Sequence, residues 1–556
     1  MRLLKNKFVL AFLAGAVCVP GFAPFGIFPL PVLALAVLFA LMHHADSPRA
    51  AAWLGFAFGL VLFSAGISWI YVALHDYGDM PMVLAVPATL LFAAFLALFP
   101  ALAGYVQARI PVIEGLRPVL VMPAIWVLIE WVRGTIFTGF PWLTLGYAHS
   151  DSPLAGYAPL FGVYGVSLIA AVGAGLLALI AQTVWNKKSV VTPAEAGVQF
   201  EFKPLDSGSP HLNPLPLAGE EAIALSPSGG KLDRGFGRND GTRWAIVALL
   251  LLWGGGALLR TVTWTQPNGE PFSVALVQGN IPQHLKFNED ALIGTLETYR
   301  RLALQSDARL TVLPETAFPL LRHEIPQNLI EQLRDHARQN GGDMVIGSFD
   351  RDQGGYYNSV FTLGSADEQR YRKHHLVVFG EFIPLRPLLG WFINGVLNIP
   401  MGDLARGSED QPPLHVAGQQ VAPDICYEDV FGEEVIRHLP KASVLLNLTN
   451  DAWYGESHAA EQHNQISRMR ALETGRMMLR ATNTGVTSII GPDGKVLQQL
   501  PQHQEAVLLG MVQGYTGSTP YVRWGNAAVM LLIAAMLAYA WIPRRFIPAL
   551  AKKKGS

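Results

Sequence analysis

Three polar residues stand where short apolar runs end in the C-terminal half of this chain. Glu315 lies in LPETAFP, Lys373 in YRKHHLVVFGEFIP, which also carries Glu381, and Cys426 in PDICYEDVF. A cysteine nucleophile needs a base to form the thiolate, and a cation or N–H donors to hold the oxyanion it creates. Glu315 can serve as that base. Lys373 can stabilise charge on both the thiolate and a tetrahedral intermediate, and the backbone N–H of Tyr427 is a natural second oxyanion donor. Taken singly, each residue also has a bland explanation: a core thiol, a solvated or paired carboxylate, a surface lysine.

The elements that must position these residues alternate. Strands are predicted over 272–278, 310–315, 343–349, 421–428 and 443–450, and helices over 289–306, 325–340 and 458–480, an α/β pattern with buried strands. No glycine-rich nucleotide loop and no HExxH is found. Cys18 and Cys426, the only two cysteines, fall in regions of different character. Neither a disulfide nor a zinc site is therefore expected, and no metal or organic cofactor is called for.

Around this unit the composition is that of a membrane protein. Of 556 residues, 51% are hydrophobic and 15% charged, too little charge for a soluble chain of this length. The net charge of −1 implies no basic face for nucleic acid. Apolar runs long enough to cross a bilayer are read at 8–24, 27–43, 51–74, 82–106, 118–136, 160–185, 244–260 and 524–542, eight in all. The first follows Arg2, Lys5 and Lys7, but further spans follow at once and no small residue precedes Cys18, so it is read as a span and not a cleaved signal.

The loops also give an orientation. Arg49, Arg109, Arg117, Lys187, Lys188, Arg544, Arg545 and Lys552 to Lys554 fall in alternate loops and the C-terminal tail, whereas 75–81 has no Lys or Arg and 133–159 only Arg133. By the positive-inside rule both termini face the cytoplasm. Seven spans precede 271–515, which places that domain on the outer face. The organisation expected is 1–185 with six spans, a polar Pro-, Gly- and Ser-rich cytoplasmic insertion at 186–242 read as disordered, a seventh span in 243–262, the α/β domain at 271–515 and an eighth span at 524–542.

Within the membrane part Glu130 invites two readings, an intramembrane functional acid or a partner for Arg133. Trp69, Tyr71, Trp142 and Tyr147 are expected near the outer surface, as an interfacial belt or as part of a binding surface.

The three motifs PET (314–316), RKHHLVVFGE (372–381) and ICYED (425–429), in that order, resemble the carbon–nitrogen hydrolase (nitrilase) superfamily, and RALETGRMMLRATNTGVTSIIGPDGKV (470–496) is similar to its helix and following strand. The resemblance implies an α-β-β-α sandwich with Glu315, Lys373 and Cys426 as the catalytic set. It also suggests that Asn358 helps shape the site. Glu381 is either a buttress for Lys373 or a structural ion pair, and Tyr427 and Glu428 adjoin the nucleophile as candidates to line the pocket.

The membrane part narrows this to one branch. GFAPFG (21–26), GISWIYVALHDYG (66–78), the stretch 130–167 and VQGNIPQHLKF (277–287) are similar to the apolipoprotein N-acyltransferases. That likeness implies transfer of a phospholipid acyl chain, through a Cys426 thioester, to the α-amine of a diacylglyceryl-cysteine on an apolipoprotein. It implies a multi-pass enzyme of the bacterial inner membrane with a periplasmic catalytic domain, expected as a monomer. Leu313 and Phe287 stand where such proteins often carry Trp, which bears on substrate fit. The rivals are a tethered amidase acting on a soluble substrate and a non-catalytic scaffold or transporter.

Overall fold

The computed structural model describes residues 6–112, 115–188, 238–383 and 403–541. Its N-terminal part is helical: α1 (Lys7–Cys18), α2 (Pro29–His43), α3 (Pro48–Gly66), α4 (Trp69–His75), α5 (Met82–Arg109), α6 (Met122–Arg133), α7 (Ala158–Lys188) and α8 (Arg238–Leu259). Start signals are local. Asn6 accepts from Phe8 N to cap α1, and Ser47 accepts from Ala50 N ahead of Pro48 at the first turn of α3. The axes of α3 and α5 approach closely because their contact is built of glycine: a Cβ on Gly55 would lie 2.2 Å from the Pro100 carbonyl oxygen, and one on Gly104 2.4 Å from that of Ala51.

Among the described residues four helices are long and apolar enough to cross a membrane: Pro48–Gly66, Met82–Arg109, Pro153–Thr183 and Gly241–Leu259. Lys7–Gly21, Pro29–His43 and Ala527–Trp541 are apolar but shorter. The run read as one span at 51–74 is two helices, because the chain leaves helical geometry at Ile67. The run at 118–136 is a π turn, Arg117–Val121, leading into the short α6. Helix α7 continues through Lys188 and α8 begins at Arg238, so both margins of the segment read as an insertion at 186–242 are helical. The rest of that segment lies outside the described residues, as do Arg2, Lys5 and the basic C-terminal tail.

The α/β unit is a pair of six-stranded sheets in the orders β12-β1-β2-β3-β4-β5 and β11-β10-β9-β8-β7-β6. The first holds β1 (Thr265–Gln278), β2 (Leu310–Val312), β3 (Asp343–Asp352), β4 (Gly355–Gly364), β5 (Arg370–Arg372) and β12 (Ala506–Gly517). The second holds β6 (Leu414–Val416), β7 (Gln419–Ile425), β8 (Val444–Thr449), β9 (Met478–Thr482), β10 (Ser488–Ile490) and β11 (Val496–Gln499). Strands β1, β2 and β3 run parallel, as do β7, β8 and β9.

Strand periodicity decides the layers. Val274, Leu276, Val312 and Val345 share a core with Val421, Val444 and Leu446 of the facing sheet. The alternate residues Val277, Met344 and Ile346 pack instead with Leu296 of α9 (Glu289–Ala303) and Leu333 of α10 (Gln327–Gln339). On the far side Leu445 and Met478 pack with Ala471, which lies in the helix Ala459–Thr474. The result is the expected α-β-β-α order. That last helix stops earlier than the predicted 458–480: Gly475 takes the left-handed conformation (φ 63) and its N–H bonds Ala471 O, the ordinary glycine stop. Met478 onward is strand.

The sandwich is docked on the helices. Gln462 receives the indole N–H groups of Trp69 (3.2 Å) and Trp142 (2.7 Å) and donates to Gly66 O. Tyr147 Oη donates to Val430 O and Val163 N to Glu473. Trp69, Trp142 and Tyr147 are buried under the α/β unit, so three of the four aromatic residues expected near the surface form a joint between the two parts. Glu130 and Arg133 are both buried, but they divide their partners: Glu130 accepts from Leu145 N, and Arg133 donates to Phe140 O, Trp142 O and Thr144 Oγ1. The two fold the 134–145 loop instead of closing the direct pair expected from their spacing.

Candidate active site

The site lies where β2, β5 and β7 end. Glu315 sits in the turn after β2, beside Thr316 at φ 46. That turn packs against β3 through Gly347, where a Cβ would come within 2.2 Å of Pro314 O. The Glu315 carboxylate is fixed at both oxygens: Oε1 accepts from Asn358 Nδ2 at 2.7 Å, Oε2 from Asn450 N at 2.8 Å. Lys373, immediately after β5, is 1% exposed. Its Nζ lies 3.5 Å from Glu315 Oε1 and 2.9 Å from Glu381 Oε2. Asn358 on β4 bridges the two acids, donating also to Glu381 Oε1 at 3.0 Å, while its backbone carbonyl accepts from Lys373 N.

Burial alone would lower the Lys373 pKa, but Glu381 and then Glu315 outweigh it and hold the ammonium above its ordinary value. Opposite these groups is Cys426, the residue after β7, with φ 56, a left-handed backbone uncommon outside glycine and typical of functional turns. Its carbonyl is held by Asn447 Nδ2 at 3.0 Å and faces His463 Nε2 at 3.3 Å. Burial pushes the thiol pKa well up, Glu315 adds to the rise, and Lys373 opposes it. The sulfur thus rests as the thiol.

Such an arrangement suits nucleophilic attack on an acyl carbon. Among the described residues no group of three or more His, Cys, Asp or Glu side chains is arranged to hold a metal ion.

Two family models match. Residues 14–176 match the apolipoprotein N-acyltransferase N-terminal domain and 273–521 the carbon-nitrogen hydrolase domain. An apolipoprotein N-acyltransferase of Nitrosomonas europaea is 46% identical over 538 residues, covering 96% of each chain. One of Ralstonia nicotianae is 43% identical over 542 residues, 95% of this chain and 92% of its own. The chain belongs to the apolipoprotein N-acyltransferase family. It is an acyltransferase with a nitrilase-superfamily domain and apolar membrane helices. Among solved structures, a CN-hydrolase superfamily protein from Xanthomonas campestris is similar over 49% of this chain, at 19% identity and a TM-score of 0.33.

In this acyltransferase the remaining sequence-predicted residues have distinct places. Glu381 takes both a lysine contact and Val377 N. Glu428 accepts from Ile425 N, His374 N, His375 N and Tyr371 Oη. Its carboxylate thereby ties the turn after Cys426 to the segment after Lys373. Tyr427 donates to Gly139 O and its ring stacks with Trp142, centroids 6.4 Å apart, so its side chain belongs to the joint with the membrane part. Phe287 is 38% exposed at the rim, 6.4 Å from the Phe349 ring.

Other residues of the site carry little sequence signal. Lys286, at the end of the short helix Gln283–Lys286, is 1% exposed and donates to Glu315 O at 2.9 Å. Burial lowers its pKa to about 7, against the pull of Glu315 and Cys426. It lies in VQGNIPQHLKF beside Phe287, the residue that drew notice. Beneath Cys426 a second charged cluster is sealed in: Asp429 and Asp451 flank His463 at 2.9 and 3.0 Å, and Arg480 reaches Asp451 (2.9 Å), Asn447 and Ser467. Arg480 and Asp429 are 0% exposed.

Proposed function

We propose that the chain transfers an acyl chain from a membrane phospholipid to the N-terminal α-amine of an S-diacylglyceryl-cysteine in apolipoproteins, by a ping-pong reaction through a Cys426 thioester. The observation that carries this reading is the buried set of Glu315, Lys373, Glu381 and Asn358 beside a cysteine in strained backbone, mounted on apolar helices. Glu315 takes the thiol proton as Cys426 Sγ bonds to the ester carbonyl carbon. Lys373 and the Tyr427 N–H, one of the early N–H groups of a helical turn that lack an intrahelical partner, hold the oxyanion. On collapse the C–O bond breaks, Glu315 returns the proton to the leaving alkoxide, and lysophospholipid departs. The lipoprotein amine then attacks the thioester carbon, the C–S bond breaks, and the proton released passes through Glu315 to the thiolate.

The membrane setting fits lipid substrates. A soluble enzyme would have to extract acyl chains at about 0.8 kcal/mol per CH₂; a site mounted on the helices spares that cost. In this reading the chain has eight spans, the short α6 and the shorter apolar helices among them. Both termini face the cytoplasm, residues 271–515 face the periplasm of a bacterial inner membrane, and the working unit is a monomer. The loop Lys/Arg asymmetry supports the orientation.

The deciding experiment is mass spectrometry of the purified protein incubated with phospholipid. An acyl-sized increment on the peptide containing Cys426, lost when a diacylglyceryl-cysteinyl peptide is added, is the expected result. No increment, together with turnover of a soluble amide in the absence of lipid, would favour the amidase instead. A reporter-fusion map with 271–515 inside would reject the orientation.

A further inference from the structure

The site holds two buried lysines in unlike company. Lys373 has Glu381 at 2.9 Å and Glu315 at 3.5 Å. Lys286 has no carboxylate within ion-pair distance among the described residues, and its hydrogen bond goes to a main-chain carbonyl, that of Glu315. The other positions of its nitrogen have no protein partner among the described residues. Its short helix is braced on the same loop system, since Asn450 Nδ2 donates to Gln283 Oε1 while Asn450 N donates to Glu315 Oε2. The titratable groups that act on Lys286 are Glu315, from the turn after β2, and Cys426, from the end of β7. Both favour its charge, and burial outweighs them, bringing it to about 7. Two like groups whose surroundings drive them apart mark a division of proton work.

The second half-reaction needs that division. Glu315 hands the thiol proton to the leaving alkoxide and so meets the acceptor as a carboxylate. An N-terminal amine, with a pKa of roughly 7.7–8.0, arrives mostly as ammonium, which has no lone pair. It must lose one proton before attack and another after the C–N bond forms. Glu315 can take only one of these, the one that then goes to the departing thiolate.

We propose that Lys286 takes the first proton from the incoming lipoprotein ammonium, so that a free amine attacks the Cys426 thioester. The proton moves from the acceptor nitrogen to Lys286 Nζ, and from there to water before the next turnover. The inference rests on the thioester reading above.

The test separates the half-reactions. Phosphatidylethanolamine in detergent micelles loads Cys426, and a synthetic S-diacylglyceryl-cysteinyl peptide with a free N-terminus unloads it, both followed by intact-protein mass spectrometry. Lys286→Arg keeps a donor to the Glu315 carbonyl but cannot accept a proton at working pH. It is expected to load within about threefold of wild type and to unload about 100-fold more slowly, the low end for a lost general base. The deficit should shrink as pH rises through 8, where the peptide amine deprotonates by itself. Lys286→Gln should behave alike. Wild-type unloading by Lys286→Arg would overturn the proposal. So would an equal loss of loading and unloading in both variants, which would leave Lys286 only a brace for Glu315. Failure of the wild-type protein to load at all would instead remove the thioester reading, and this inference with it.

Discussion

Cys426 stands between two buried charge clusters. On the first-sheet side Glu315, Lys373, Glu381 and Lys286 form an open set: Lys286 uses one donor, and Asn358 Oδ1 has no partner. On the second-sheet side Asp429, Asp451, His463 and Arg480 pair with one another and face the Cys426 carbonyl, with Arg480 Nε alone left without a partner. Charge density alone does not distinguish them. Ion pairing does: Lys286 has no carboxylate within ion-pair distance among the described residues, whereas Asp429, Asp451, His463 and Arg480 each have an acid–base partner within 3.0 Å, and such a network fixes backbone and cannot take on a new partner without losing an old one.

Substitutions on the two sides should therefore fail differently. The largest effect is expected for Cys426→Ala, which should form no acyl-enzyme, while Cys426→Ser forms a slow or stalled ester because an alcohol ionises far less readily than a thiol. Mass spectrometry after incubation with phospholipid reads both, and an increment surviving in Cys426→Ala would place the nucleophile elsewhere. Lys373→Ala should slow both half-reactions by two to three orders of magnitude, about 3–4 kcal/mol for one oxyanion donor. Glu315→Gln should suppress loading with the thermal midpoint little changed.

The closed cluster should show the opposite signature. Arg480→Met removes one side of a buried pair, and about 3–5 kcal/mol of stability is expected to go with it. The readout is thermal unfolding in detergent, with loading retained by the fraction that stays folded; an unshifted midpoint would contradict a structural role. The same cluster sets an acid limit. Asp451 is desolvated, but Arg480 and then His463 bring it down to about 2, below its roughly 3.9 when unfolded. Its stabilisation is present above about pH 4 and is lost as pH falls toward 2. Asp451→Asn should flatten that part of a stability-against-pH curve. The smallest effect is expected from Cys18→Ala, a small buried side chain of α1, with loading unchanged.

The open cluster was the part legible in the sequence, because reactive residue types at strand ends in a fixed order are a local pattern. Lys286 was not, since nothing in HLKF separates a buried lysine from a solvated one until its helix is seen against the Glu315 turn. His463 was hidden for a related reason. The helix Ala459–Thr474 is buried along nearly all its length despite a polar sequence, so no amphipathic stripe announces which side carries function. Glu428, read as a pocket candidate from its neighbour, is also a clamp on which four donors converge. The sandwich layers followed from strand alternation, but span boundaries did not follow from hydropathy: the break at Ile67 between α3 and α4 is invisible to an average over apolar residues.

The Gln462 carboxamide, which holds Trp69, Trp142 and Gly66 at once, has a consequence for what the enzyme can measure. It pins the helix Ala459–Thr474 to two separate stretches of the membrane part, and with that helix the turn of Cys426, whose carbonyl faces His463. In a bilayer the ester carbonyls of a lipid also occupy a narrow layer, just below the head groups. On the proposed reaction, a reactive atom held at one altitude selects by the depth of the bond it cuts.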